Sequence, residues 1–428
     1  MSSSLSQRDQ QVIWHPYTQH KNMLPPIAIV KGEGALLFDE NNNCYIDAIS
    51  SWWVNIHGHA HPYIAGKIHE QAKKLEHVIF TGFTHEPAVQ LAERLLKILP
   101  GNFSKIFYSD NGSTAIEVAI KMAIQFWRNE STNAKHPTAG RTKILAFRNS
   151  YHGDTFGAMS VSERSLFTIS FQDYLFEVVF MDTPTPENIY ELKKKINSLS
   201  SEIACFIYEP LLQAAGGMLI YDGQLLDELL TELKSNNIIC IADEVMTGFF
   251  RTGKFFACDH LGVKPDIICL SKGLTGGSMA LGVTAATQKI FEAFLSDDRK
   301  KTFFHGHSFT ANPIACSAAL ASLDLLENEN CAAQVQNIIT RNGDFIGRLQ
   351  NKRLNQKTKN HRQLGTIIAF EIISEKDGYL NHIGAAVTEL ALQNGIYLRP
   401  LGNTVYIMPP YCIMTEDLQK VYGFLNGL

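Results

Sequence analysis

Residues 238–277 read IICIADEVMTGFFRTGKFFACDHLGVKPDIICLSKGLTGG. Two short apolar runs, Ile238–Ala242 and Ile267–Leu270, are bounded by loop signals and fit buried parallel strands. The first ends in Asp243 and the second in Ser271-Lys272-Gly273. In open α/β sheets ligands sit beyond the carboxyl ends of such strands, so an aspartate and a lysine are delivered to one sheet edge. A lysine flanked by small residues suits Schiff-base chemistry, and a carboxylate suits a pyridinium nitrogen. The pair points to a pyridoxal-phosphate (PLP) site.

Further strands are expected at Ile106–Tyr108, Lys143–Phe147, Glu177–Met181, Ile203–Tyr208 and Leu281–Ala286, alternating with helices such as Ile64–Leu75 and Pro87–Leu99. That alternation predicts an α/β fold with a mostly parallel seven-stranded sheet. The strand at 106–108 runs into Ser109-Asp110-Asn111-Gly112-Ser113-Thr114, with Thr114-x-x-Glu117 reading as a capping box. A strand, a glycine turn and a helix N-terminus make an anion site, so Gly112 and Ser113 are candidates for a phosphate. The loop Asn149–Asp154 and Glu209 stand at other strand ends of the same edge.

After residue 312 the pattern changes. Helices at Pro313–Leu326 and Ala332–Leu349, a strand at Gly365–Ile373, a helix at Ile383–Asn394, strands at Ile396–Arg399 and Val405–Met408 and a helix after Thr415 predict a smaller α+β domain. The expected division is a large PLP-binding domain at 63–312, a C-terminal small domain at 313–428, and an N-terminal segment, 1–62, joining the small domain. Within that segment the Ser- and Gln-rich residues 1–11 read as mobile, and Gly34–Phe38 and Tyr45–Ala48 as a hairpin about Asn41-Asn42-Asn43. The polar runs Lys193–Ser201 and Asn351–Arg362 read as solvated surface.

At 428 residues the chain is long enough for about two domains. Its net charge of −4 carries no footprint for nucleic acid or an anionic membrane surface. No apolar run is long enough to span a bilayer, and the N-terminus has no signal-peptide core, so a cytoplasmic protein is expected. The eight cysteines are scattered without a CxxC pair and read as reduced core thiols. His57, His59 and His61 share a spacing of two, but Gly58 and Pro62 break a strand and no nearby carboxylate or cysteine completes a metal set. Gly32-x-Gly34 lacks the third glycine and strand context of a dinucleotide fingerprint.

Asp243-Glu244-Val245, the turn from Gly248 to Gly253 and Ser271-Lys272-Gly273-Leu274 resemble the class III PLP-dependent aminotransferases of fold type I, and the resemblance covers essentially the whole chain. WHPY at 14–17, SSWW at 50–53, YHGD at 151–154 and RPLG…MPPY at 399–411 are similar to the branch that moves the amino group of S-adenosyl-L-methionine to 8-amino-7-oxononanoate in biotin biosynthesis, by a ping-pong reaction through pyridoxamine phosphate. The resemblance implies that Lys272 holds PLP and shuttles a proton, that Asp243 pairs with the pyridine nitrogen, and that Gly112 and Ser113 bind the phosphate. It implies that Tyr151 stacks on the cofactor and also meets substrate, that Tyr17 and Trp52 line the substrate pocket, Tyr17 as a catalytic residue as well, and that Gly306 contacts substrate. Arg399 would take a substrate carboxylate, a bidentate task suited to guanidinium. His307 and Ser308 would reach the phosphate of the neighbouring subunit in a homodimer.

Two departures stand out. Phe250 sits where the family has glycine, which bears on how Arg251 approaches substrate, and Ser308 replaces a common threonine with its hydroxyl kept. Four alternatives remain open at this level: lysine as the amino donor for the same acceptor, an ω-amino-acid or ornithine-type aminotransferase, a non-catalytic protein of the same fold, and a metal-dependent enzyme built on His57, His59 and His61.

Overall fold

The computed structural model describes residues 4–131, 141–351, 357–374 and 383–428. Near the N-terminus Leu5–Val12 is a helix, where mobility was expected. Ser4 and Gln7 cap it reciprocally, and none of its side chains is buried. Strands β1 (Ile29–Glu33), β2 (Leu36–Asp39) and β3 (Cys44–Asp47) follow as an antiparallel meander.

The large sheet contains β4 (Phe103–Ser109), β5 (Lys143–Phe147), β6 (Val179–Met181), β7 (Ile203–Tyr208), β10 (Ile239–Asp243), β11 (Ile267–Leu270) and β12 (Gly282–Thr287). A two-stranded hairpin, β8 (Leu212–Gln213) and β9 (Leu219–Ile220), lies between β7 and β10 in the chain. The sheet order is β4-β12-β11-β10-β7-β5-β6, and only β12 runs antiparallel to its neighbours. All seven expected strands are present, with ends that differ by up to three residues. The central strands are buried along their whole length because both faces are covered, which is why they read as continuous apolar runs. In β7, Cys205 and Ile207 face the core beneath the helix Gly112–Ser131, while Phe206 and Tyr208 face the other core, as a two-residue period requires. Six of the strands point the same way. Asp243, Lys272, Glu209, the turn after Ser109 and the loop after Phe147 therefore meet at one edge.

The last part of the chain holds β13 (Thr358–Leu364), β14 (Ile367–Ile372), β15 (Ile396–Tyr397) and β16 (Thr404–Ile407). The single strand expected at 365–373 is instead a hairpin, β13–β14, turned at Gly365 with φ +56. The polar run to Arg362 disguised β13, an edge strand with half-buried polar side chains; residues 352–356 of that run lie outside the described residues. Arg362 is no free surface group: its guanidinium donates to the carbonyls of Met218 and Gly217 and pairs with Glu371. In the other polar run, the helix Ile189–Leu199 buries Leu192 and Ile196 and leaves its lysines outside. β15 pairs in parallel with β3, Ile396 opposite Ile46, so the start and end of the chain share a four-stranded sheet. The eight cysteines are all free, six of them buried. Among the described residues no helix is long and apolar enough to cross a membrane.

Candidate active site

A cavity of about 670 Å³ opens at the carboxyl edge of the sheet. Asp243 and Lys272 stand in its floor, with Gly112, Ser113, Tyr151 and Glu209 around them. Asp243 is only 5 % exposed. Its Oδ1 accepts the Val245 N–H at 3.0 Å, and its Oδ2 lies 2.7 Å from Nδ1 of His152, a fully buried ring. An acceptor-only carboxylate opposite Nδ1 makes that nitrogen the donor. Nε2 of His152 is buried and has no partner among the described residues.

Lys272 has φ +48 and begins a short 3₁₀ turn, Lys272–Thr275, after β11. Its Nζ lies 4.7 Å from the Trp53 ring centre. Burial lowers its pKa to about 8, against the pull of Asp243 and Glu209, so part of the amine is neutral near physiological pH. Burial likewise pushes the Glu209 carboxyl up to about 7, with His152 acting in the opposite sense. Glu209 accepts the backbone N–H groups of Tyr151 at 3.1 Å and Ala214 at 3.0 Å and so holds the Tyr151 loop. Neighbouring Glu244 has a structural task, accepting from Ala257, Cys258 and Thr247.

The anion cradle is built three residues earlier than the expected capping box. Asn111 accepts the Thr114 N–H, the Thr114 hydroxyl accepts the Asn111 N–H, and the helix starts at Gly112. Glu117 instead accepts from Gly157, Ala158 and Thr155. A Cβ at Gly112 would come 2.7 Å from Val245, and one at Gly153, with φ +132, would come 2.1 Å from the Ser113 hydroxyl. Glycine at both positions keeps a small recess at a helix N-terminus open. There the first N–H groups lack intrahelical acceptors. A buried carboxylate, a lysine of lowered pKa and this recess in one cavity fit PLP: Asp243 for its ring nitrogen, Lys272 for its carbonyl carbon, Gly112 and Ser113 for its phosphate.

A second cavity of about 350 Å³ shares Trp53, Tyr151, Asp154 and Lys272 with the first and adds Tyr17, Trp52, Phe167 and Arg399. Tyr17 packs edge-on against Trp52 at 5.5 Å and Phe167 at 5.6 Å. Its hydroxyl lies 3.2 Å from that of Tyr151 and donates to the Asp154 carboxylate. The Tyr151 hydroxyl is held protonated, by burial first and by Tyr17 and Asp154 next. The Arg399 guanidinium sits 4.4 Å over the Trp52 ring. Both tryptophans line this cavity, at different depths. Trp53 is 5 % exposed and donates its Nε1–H to the Tyr406 hydroxyl; Trp52 is 40 % exposed and forms wall.

Gly306, His307 and Ser308 do not line either cavity. His307 accepts the Phe309 N–H and stands 3.9 Å from Asp110, while Ser308 is exposed. Arg251 is absent from both linings as well: it is 1 % exposed, donates to the carbonyls of Pro409 and Trp53, and lies over Tyr411. The three histidines do not converge on one point: two meet different partners, and His61 packs edge-on against His57. His57 reaches the Ser322 hydroxyl, burial lowering its pKa to about 3, and His59 reaches Asp47; no metal-ligating cluster occurs among the described residues. His152, Asp154 and Phe167 were not foreseen as site residues. The first two flank Gly153 in a loop already marked at the edge, whereas nothing local marks Phe167.

Residues 17–427 match the family described as aminotransferase class-III. The chain is 46 % identical to the adenosylmethionine-8-amino-7-oxononanoate aminotransferase of Synechococcus elongatus, with 97 % of this chain and 98 % of that protein covered. It is 39 % identical to the protein of the same name from Geobacter sulfurreducens, with 97 % and 95 % covered. The crystal structure of such an enzyme from Methanocaldococcus jannaschii superposes with a TM-score of 0.92 at 36 % identity, covering 99 % of this chain and 98 % of that one.

Proposed function

The chain belongs to the class III aminotransferases, and from that premise we propose that it transfers the amino group of S-adenosyl-L-methionine to 8-amino-7-oxononanoate, giving 7,8-diaminononanoate. The cofactor is pyridoxal phosphate. When bound, it supplies an electron sink for the amino-bearing carbon and a carbonyl carbon that takes up the amino group. The observation that carries the substrate reading is the second cavity, which joins Lys272 to an aromatic wall and a guanidinium.

Lys272 Nζ is the mobile base: with a pKa of about 8 it can accept a proton from the amino-bearing carbon and return it. Asp243, which accepts the Val245 N–H and faces Nδ1 of His152, would pair with the cofactor's ring nitrogen. Gly112 and Ser113 would hold the phosphate, and Tyr151, anchored through its N–H on Glu209, would lie against the ring. Tyr17 and Trp52 give flat surfaces suited to an adenine in one half-reaction and an alkyl chain in the other. Arg399, steered by Trp52, takes a carboxylate. Gly306, His307 and Ser308, outside both cavities of their own chain, act on the partner's site in a homodimer. We place the domain borders at 62/63 and 312/313 and the enzyme in the cytoplasm.

The test is a single turnover on 8-amino-7-oxononanoate with each donor in turn. Diaminononanoate formed with adenosylmethionine and not with L-lysine supports the reading; formation with lysine alone overturns it.

A further inference from the structure

The turn carrying both tryptophans has an unusual backbone. Ser50, Ser51 and Trp53 have φ of +51, +59 and +67, and Ser51 combines φ +59 with ψ −79. That last pair is the geometry of a strained γ-turn, which β-carbon-bearing residues rarely adopt. Such a conformation persists only where its surroundings over-determine it. Here the surroundings are a buried carboxylate and a histidine. Asp47, with no exposed surface, accepts the Ile49 N–H at 3.2 Å, the Ser51 N–H at 2.9 Å and the Ser51 hydroxyl at 2.9 Å. Its Oδ2 also lies 2.9 Å from Nε2 of His59, whose Nδ1 is 2.9 Å from the Asn55 amide.

The seat of His59 is prepared in turn. Its N–H donates to Gly34 at 2.7 Å, and a Cβ on Gly32 would come 2.5 Å from its own Cβ. The Gly32-x-Gly34 pair and the middle histidine of His57-Gly58-His59-Ala60-His61 thereby serve one purpose. Trp52, at the outer end of this turn, touches Tyr17 and Arg399; Trp53, at the inner end, touches Lys272.

We propose that Asp47 and His59 form a clamp that holds the 50–53 turn strained so that Trp52 stands in the substrate wall, making both positioning residues for substrate selection. This rests on the proposed aminotransferase reaction for its consequence, not for its geometry. The test is hydrogen exchange of the amides of residues 49–54, read by mass spectrometry on the full cofactor-free chain. In Asp47→Ala and His59→Ala the exchange should accelerate by about tenfold or more at 49–54 while the strands of the large sheet keep their rates. Glycine tolerates the Ser51 geometry, so Ser51→Gly in the Asp47→Ala background should return exchange at residues 53 and 54, whose amides bond the Ile49 and Ser50 carbonyls, to within about threefold of the parent, while residues 49 and 51 stay fast for want of their Asp47 acceptor. His59→Gln, whose amide can replace Nε2, should stay within about threefold of the parent over 49–54. In kcat/KM for adenosylmethionine, Trp52→Ala and His59→Ala should each cost about tenfold and together little more, because one acts through the other. Unchanged exchange at 49–54, acceleration spread evenly over the chain, or fully multiplicative losses in the double variant would each overturn the clamp. A wild-type chain inactive with adenosylmethionine would refute the reaction, and the exchange rates would still decide the clamp.

Discussion

The floor and the wall of the site are built in opposite ways. The floor, Asp243, Lys272, Gly112 and Ser113, comes from the ends of strands and a helix of one sheet whose central strands have no exposed residue. The wall, Tyr17, Trp52, Phe167 and Arg399, comes from four segments scattered over nearly four hundred residues, and Tyr17 and Trp52 are more than a third exposed. A floor anchored on fully buried strands suits groups that must hold one cofactor with one geometry. A half-exposed wall of flat rings suits a site that takes two dissimilar substrates in turn. On the proposed reaction the chemistry falls to the floor and the choice of substrate to the wall, and variants on the two sides should then fail in different ways.

The largest loss is expected from Lys272→Ala, which removes both nucleophile and proton carrier. Amino transfer should fall by about 10⁴-fold or more for every donor in single-turnover assays. Residual transfer within tenfold of wild type would break the assignment of the floor. Asp243→Asn keeps the shape and removes the carboxylate proposed to pair with the ring nitrogen. A loss of about 100-fold, equal across donors, is expected in kcat/KM. Arg399→Ala belongs to the wall and should raise KM for the carboxylate substrates by about 10- to 100-fold with kcat nearly kept. A fall in kcat alone would move Arg399 to the floor.

The pH dependence sharpens the same division. Because burial holds the Lys272 pKa down to about 8, the neutral amine grows about tenfold per pH unit below that value and saturates above it. Capture of added PLP by cofactor-free protein, followed by its absorbance, should rise and then level off near pH 8. Asp243 raises that value, so in Asp243→Asn the break should move to lower pH. A rise continuing to the ordinary lysine range would contradict a desolvated floor.

The floor was legible because strand ends are local: an apolar run followed by Asp243 or by Ser271-Lys272 states both its structure and its position. All seven strands of the sheet could be read for the same reason. Its supports were less legible. His152 meets Asp243 across 91 residues, and the cap before Gly112 uses Asn111 rather than Thr114, since a hydroxyl three residues further on can answer either backbone group. The wall was legible only through family resemblance in the segments of Tyr17, Trp52 and Arg399. Phe167 carries no local pattern, and β13 was hidden by the polar residues an edge strand can bear. Strain in the 50–53 turn cannot be read from Ser50-Ser51-Trp52-Trp53 at all, because Asp47 and His59 impose it from outside.

The division is tested most directly by kcat/KM for adenosylmethionine and for a small amine such as benzylamine, measured side by side in wild type, Asp243→Asn and Trp52→Ala. Asp243→Asn should lower both by the same factor, whereas Trp52→Ala should cost about tenfold with adenosylmethionine and less than about twofold with the small amine. Equal losses on both donors in Trp52→Ala, or a changed preference in Asp243→Asn, would contradict it.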